Sequence, residues 1–207
     1  HSSPTVVGDR VFLTAADESE KVQFALAFNR TTGEPLWKIE ISRGEFPAKN
    51  HPKNTEATPS VASDGERLFV TFYHHDKVTA ACLNFDGNFV WKQEVCRFRP
   101  KTYEYGYAPS PVIYRNTVIV SAEYDGDSFI TALDRMTGER VWQTKRPTMI
   151  TFSTPSICGS SGGGGGAISA TGSAGAGVAS TTWPKPPIAA SPPRKPRRTP
   201  RPPRRPR

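Results

Sequence analysis

The sequence predicts an all-β protein, a β-propeller of four-stranded blades with about three blades present and a low-complexity tail behind them. Three observations predict it. A closing signature occurs twice in full, as Ala27-Phe28-Asn29-Arg30-Thr31-Thr32-Gly33-Glu34-Pro35-Leu36-Trp37 and as Ala132-Leu133-Asp134-Arg135-Met136-Thr137-Gly138-Glu139-Arg140-Val141-Trp142. A shorter copy, Cys82-Leu83-Asn84-Phe85-Asp86-Gly87-Asn88-Phe89-Val90-Trp91, lies between them. Each unit opens with a hydroxyl residue, a proline and a short apolar run: Ser3-Pro4-Thr5-Val6, Thr58-Pro59-Ser60-Val61 and Ser110-Pro111-Val112-Ile113. The period of about fifty residues belongs to propellers and solenoids.

The elements follow in order. In the first unit, residues 1–46, strands are expected at Thr5–Val7, Arg10–Ala15, Val22–Phe28 and Leu36–Ile41, with a turn at Gly8-Asp9 and a polar loop over Asp17–Lys21. In the second, 58–97, they are Ser60–Ala62, Arg67–Tyr73, Val78–Leu83 and Phe89–Val95, with turns at Asp64-Gly65 and Asp86-Gly87. In the third, 109–146, they are Val112–Tyr114, Thr117–Ala122, Phe129–Leu133 and Arg140–Thr144, with a turn at Asp125-Gly126. A fourth unit starts at 153–157 with Thr154-Pro155-Ser156-Ile157 and has no closing half. The runs are rich in Val, Ile, Phe, Tyr and Thr, and Gly, Asp and Asn bound them, which is hairpin chemistry. No segment has a helical period.

Four-stranded units in series build either a propeller or a sandwich. The recurring tryptophan selects the propeller. Blades touch only their neighbours, so one interface is rebuilt at every repeat with the same residue. Asp/Asn-x-x-Thr-Gly is a tight-turn sequence, because glycine supplies a positive φ and Asp or Asn bonds its own backbone.

The pattern Ala-x-Asp/Asn-x-x-Thr-Gly-x-x-x-Trp resembles the tryptophan-docking motif of the pyrroloquinoline-quinone-type propeller repeat. The first and third units match every fixed position; the second lacks the Thr and one residue. The resemblance covers residues 1–157 and implies an eight-bladed propeller of the quinoprotein-dehydrogenase-like superfamily, most like the bacterial quinone-binding-like propellers. The outer-membrane assembly lipoproteins are a more distant likeness. It implies that Trp37, Trp91 and Trp142 pack against adjacent blades. In the family's dehydrogenases it also implies a bound quinone, a calcium ion, an Asp base and often a Cys-Cys pair. This sequence has no Cys-Cys pair and no acid-amide set that carries over residue by residue. No catalytic, cofactor-binding or metal residue is therefore assigned; pyrroloquinoline quinone and calcium belong only to the full-length family context.

Composition narrows the rest. The formal net charge is +8, from 27 Lys and Arg against 19 Asp and Glu. Nine of the 27 follow Cys158 with no acid among them, so the body carries 18 basic against 19 acidic residues, a net −1. The basic character describes a tail, not an electrostatic footprint for nucleic acid on the propeller. Cys82, Cys96 and Cys158 are an odd number without metal-ligand spacing, and Cys82 reads as a small core residue. No run of eighteen apolar residues exists. The chain starts at His1 inside a repeat and shows no signal peptide, which is no argument for the cytoplasm; a periplasmic or cell-envelope location is expected.

Five stretches invite a chemical reading. His74-His75-Asp76 holds possible metal ligands, but adjacent strand residues point to opposite faces, and a solvated hairpin loop is expected. Asp125-Gly126-Asp127-Ser128 opens like a calcium loop without its downstream glycine and glutamate. Tyr103, Tyr105 and Tyr107 alternate on the connection into the third unit, as a ligand-facing rim or, preferably, a half-buried edge strand. His51-Pro52-Lys53-Asn54 sits on the matching connection into the second unit, where propeller partners bind. Ser161–Gly166 lacks the Gly-Lys-Ser/Thr of a phosphate loop.

Residues 158–207 turn to Gly and Ala, then to Pro and Arg, with Trp183 as the single aromatic. Such a stretch buries too little apolar surface to offset its chain entropy, so disorder is expected. A GC-rich gene read out of frame near residues 158–167 would give the same composition. The functional expectation is a propeller-repeat binding or scaffold protein with a protein partner, a fragment of a larger quinone-binding-like propeller and not an enzyme as it stands. The alternatives are a truncated quinoprotein dehydrogenase and a nucleic-acid-associated protein acting through residues 184–207.

Overall fold

The structure, a computed structural model, describes residues 2–159 and 166–169. The described part is all β. The first blade is β1 (Thr5–Val7), β2 (Arg10–Asp17), β3 (Val22–Asn29) and β4 (Pro35–Arg43). The second is β5 (Ala62–Ser63), β6 (Arg67–His74), β7 (Lys77–Asn84) and β8 (Phe89–Arg97). The third is β9 (Val112–Tyr114), β10 (Thr117–Ala122), β11 (Phe129–Asp134) and β12 (Arg140–Lys145). Each blade is an antiparallel meander whose sheet order is its chain order. A hairpin of β13 (Ser156–Gly159) and β14 (Gly166–Ser169) begins a further unit, with Ser156 opposite Ser169. Gly166–Ser169 thus pairs as a strand within the stretch that the sequence assigns to the tail; residues 160–165 and 170–207 lie outside the described residues.

The turns follow from residue chemistry. Gly8 (φ 55°) begins a tight turn between Val7 and Arg10, with only Asp9 beside it. The β6–β7 turn is His75-Asp76 alone, both at positive φ (51° and 55°), a geometry that matches strand twist but is unusual without glycine. The expected tight turn at Asp125-Gly126 is instead a wider bend. There the Ser128 hydroxyl clasps Tyr124, accepting from its amide at 2.8 Å and donating to its carbonyl at 2.6 Å.

The third-to-fourth-strand turns repeat a device. The Asn29 carboxamide oxygen accepts from the Thr31 and Thr32 amides, and the Asp134 carboxylate from the Met136 and Thr137 amides. A bulge precedes each turn, at Ala27/Phe28, Cys82/Leu83 and Ala132/Leu133, and adds twist where the strand reaches for the next blade.

The core lies between blades. Leu68, Val70 and Phe72 of β6 pack with Phe12, Ala25 and Ala27 of the first blade. Phe69 and Tyr73, alternate residues of the same strand, pack with Val118, Val120 and Tyr124 of the third. The period-two alternation thus gives the middle blade two apolar faces, each worth about 1.5–3 kcal/mol per large side chain buried. Cys82 is fully buried in this core, and its thiol is pushed up to about 12 by burial.

Hydroxyls stitch the blade openings together. Ser3 donates its amide to Ser60 Oγ at 2.8 Å, Ser60 its amide to Ser110 Oγ at 2.9 Å, and Ser110 its amide to Thr154 Oγ1 at 3.0 Å. This corrects the alignment of the second opening: Ser60, not Thr58, is the counterpart of Ser3 and Ser110. Val61 stands where the other units have proline.

Candidate functional interface

In a meander, the turn between strands two and three and the connection leaving strand four lie on the same side. Hydrogen bonds join them in each blade: Gly44 N to Lys21 O, Phe98 N to Asp76 O, and Arg146 N to Ser128 O. The connections 44–61, 98–111 and 146–155 therefore form one face, and their side chains meet there.

His51 packs edge-on against Tyr105 at 5.0 Å between ring centroids; Tyr103 lies 5.6 Å from Tyr105, and Phe152 stacks on it at 6.1 Å. Three successive connections thus contribute one aromatic row. Tyr103, Tyr105 and Phe152 remain 48%, 42% and 38% exposed. Beneath them the surface is braced. Asn54 donates to the Tyr105 carbonyl at 2.5 Å, and Lys49 pairs with Glu104 at 2.9 Å. Gly106 (φ 79°) lies so close to Asn50 and Asn54 that a Cβ there would meet them at 2.6 and 2.5 Å.

The alternation of the three tyrosines is therefore not that of an edge strand. They lie on an irregular connection, where Tyr103 and Tyr105 face out. Tyr107 is buried and donates to the Ser121 carbonyl at 2.8 Å. Of the second connection, His51 and Asn54 join the row and its support. The Asp125 carboxylate accepts from the amides of Lys101 (2.9 Å) and Thr102 (2.6 Å), which ties the bend to the connection 98–111. Burial pulls that carboxyl upward, but the bonds from Thr102 and Lys101 outweigh it and hold it below the usual carboxylate range.

Three features of this face carry no sequence signal. Phe152 sits in a connection without a motif. Glu56 is half-buried below the row and accepts from Asn50 at 2.8 Å. Burial pushes its carboxyl up to about 7, against the pull of the Asn50 bond and with help from the Glu18 charge. Glu123 and Arg146, both nearly inaccessible, form an ion pair at 2.5 Å that anchors the third connection to the end of β10. An open cleft beside the first blade is lined by Ser2, Leu13, Thr14, Glu18 and Thr55. Its Thr14 hydroxyl is engaged with the carbonyls of Ala57 and Pro59, at 3.0 and 2.8 Å.

Among the described residues no three His, Cys, Asp or Glu side chains converge on a point that could hold a metal. Cys82 and Cys96 are free thiols on different strands, and the buried carboxylate of Glu123 is engaged with Arg146.

On the opposite side the blades lock through their last turns. Trp37 Nε1 donates to the Phe85 carbonyl at 2.8 Å, and Trp91 Nε1 to that of Arg135 at 3.0 Å. Arg10 reaches the Phe85 carbonyl and Asp86, while Arg135 pairs at 3.1 Å with the buried Asp64 carboxylate.

These meander sheets, interlocked by a tryptophan and a turn glycine, define a β-propeller of the quinoprotein repeat class. The chain belongs to the pyrroloquinoline-quinone-type repeat family: the family model described as outer membrane protein assembly factor BamB matches residues 23–181. A europium-containing methanol dehydrogenase is similar in structure, with a TM-score of 0.51 at 18% identity, over 69% of this chain and 24% of its own. A quinohemoprotein alcohol dehydrogenase from Comamonas testosteroni gives 0.47 at 21% identity, over 70% and 20%. The computationally designed Ika4 protein gives 0.51 at 13% identity, over 88% and 91%. The chain thus spans about a quarter or less of the two dehydrogenases, and its likeness to the methanol dehydrogenase is one of fold. No curated protein matches it.

Proposed function

We propose that this chain is a binding or scaffold propeller that engages a protein partner through the face built by its inter-blade connections. The observation that carries the reading is the aromatic row of His51, Tyr103, Tyr105 and Phe152, whose tyrosines and phenylalanine are exposed and which Asn54 braces at the Tyr105 carbonyl. Exposed aromatics on a rigid support suit recognition, because large rings contribute contact area at low entropic cost. The hydroxyls of Tyr103 and Tyr105 stay available to donate to a partner's backbone. The family's description as an assembly factor of outer membrane proteins supports a partner that is itself a protein and a cell-envelope location. Among the described residues no helix is long and apolar enough to cross a membrane. The basic segment 184–207, the basis of a nucleic-acid reading, lies outside the described residues.

The test replaces Tyr105, and separately Val90 on the outer strand β8, with a photoreactive amino acid in cells producing the protein. Adducts with one discrete envelope protein at 105 and none at 90 support the reading. Equal labelling from both positions, or none from 105, overturns it.

A further inference from the structure

We propose that His74 and His75 form an acid-released strut tying the outgoing connection of the first blade to the β6–β7 hairpin of the second. The left-handed turn at His75 brings the two rings together, with Nδ1 to Nδ1 at 2.8 Å and centroids 5.0 Å apart. At that distance one nitrogen donates and the other accepts. The neighbours decide which. The Glu45 amide, 3.4 Å from His75 Nε2, can only donate, so that nitrogen accepts and the His75 proton sits on Nδ1. His74 Nδ1 is then the acceptor, and its proton sits on Nε2, where Thr79 Oγ1 at 3.2 Å receives it. The result is a directional chain: Glu45 N–H to His75, His75 to His74, His74 to Thr79.

A second link runs beside it, from the His75 amide to the Glu45 carbonyl at 2.9 Å, and does not titrate. Gly44 makes the approach possible: a Cβ there would fall 2.0 Å from the His75 ring. Two blades are thus joined by one permanent bond and one that requires both rings neutral.

Protonating either imidazole breaks the chain. A proton on His75 Nε2 opposes the Glu45 amide, and a proton on His74 Nδ1 opposes His75 Nδ1–H. Burial, the neighbouring His75 and the Lys92 and Lys77 charges hold His74 down to about 4, while Glu94 works against them. Lys77 is paired with Glu94 at 2.8 Å and Asp76 with Arg99 at 3.3 Å, so these charges are partly neutralised. His75 is the exposed member of the pair, and its Nε2 faces the Glu45 amide. Opening frees the start of the connection that carries His51 and Asn54. The inference makes no assumption about what binds the aromatic row.

The experiment is amide hydrogen exchange on the full chain, corrected for the intrinsic pH dependence of exchange. Protection at Glu45 is expected to fall about tenfold between about pH 8 and about pH 5. The Phe98 amide, which Asp76 O accepts, should not change over that range. In His75→Gln, whose side-chain oxygen accepts but does not titrate, Glu45 protection should become independent of pH. Unchanged Glu45 protection in the wild type, or an unaltered pH dependence in the variant, overturns the proposal. Should His75→Gln not fold, ring nitrogen shifts of the wild type near pH 8 decide. One Nδ1–H and one Nε2–H tautomer are required, and two alike refute it.

Discussion

The indole of Trp91 lies flat enough on Gly138 that a Cβ there would stand 2.7 Å from Cδ2, while its Nε1 donates to the Arg135 carbonyl three residues earlier in the same turn. Trp37 stands in the same relation to Gly87 and Phe85, with its Cδ2 3.2 Å from a Cβ on Gly87. The turn glycine therefore has two duties, a positive φ and an empty face for the previous blade's ring.

The two duties separate by substitution. Gly33 (φ +74°) and Gly138 (φ +76°) share a backbone conformation, but nothing lies within 4 Å of a Cβ at Gly33. Gly33→Ala should cost about 1–2 kcal/mol from strain alone. Gly138→Ala adds the collision with Trp91 and should cost about 3 kcal/mol or more. Denaturant titrations of the two variants check the difference.

Trp91→Phe keeps an aromatic ring but leaves the Arg135 carbonyl without its donor. A loss of about 1–2 kcal/mol is expected from that bond and the lost packing. The same denaturant midpoint reads it.

Glu123 is one half of a buried ion pair, so Glu123→Ala should cost about 3 kcal/mol by removing the carboxylate that Arg146 faces. Glu123→Leu with Arg146→Met, which removes both charges, should recover a large part of that. Thermal unfolding of the single and double variants gives the comparison.

Glu56 supplies a pH dependence. Its folded carboxyl is raised to about 7 from 4.5, so the fold favours the protonated form. Stability is full below the ordinary value and is lost as pH rises from there through about 7. Glu56→Gln mimics the neutral form. It should stabilise the protein by about 1 kcal/mol near pH 8, after allowing for partial solvent screening, and by nothing near pH 4. Unfolding curves at the two pH values test the sign.

The strands were legible because each blade writes its hydrophobic alternation and its turn residues locally: Asn29, Asp134 and the turn glycines mark the turns they make. The second opening was not. Proline dominates the resemblance of Thr58-Pro59 to Ser3-Pro4, but only a hydrogen bond across fifty residues reveals that Ser60 holds the position. The aromatic row was legible in part. His51, Tyr103 and Tyr105 stand out as residues, yet their meeting with Phe152 depends on three connections converging in space. The histidine pair misleads a strand rule, because alternation fails once His75 takes a left-handed φ and turns its ring back on His74.

The hydroxyl stitching of Ser3, Ser60, Ser110 and Thr154 is directional. Ser60 and Ser110 each offer an amide forward and receive one on the hydroxyl from behind, so each link needs only a neighbour of the same kind. Such a coupling works like a thread whose pitch is identical at every turn. If a gene segment encoding one whole unit were duplicated or excised within this series, this hydroxyl link could close again between the two new neighbours.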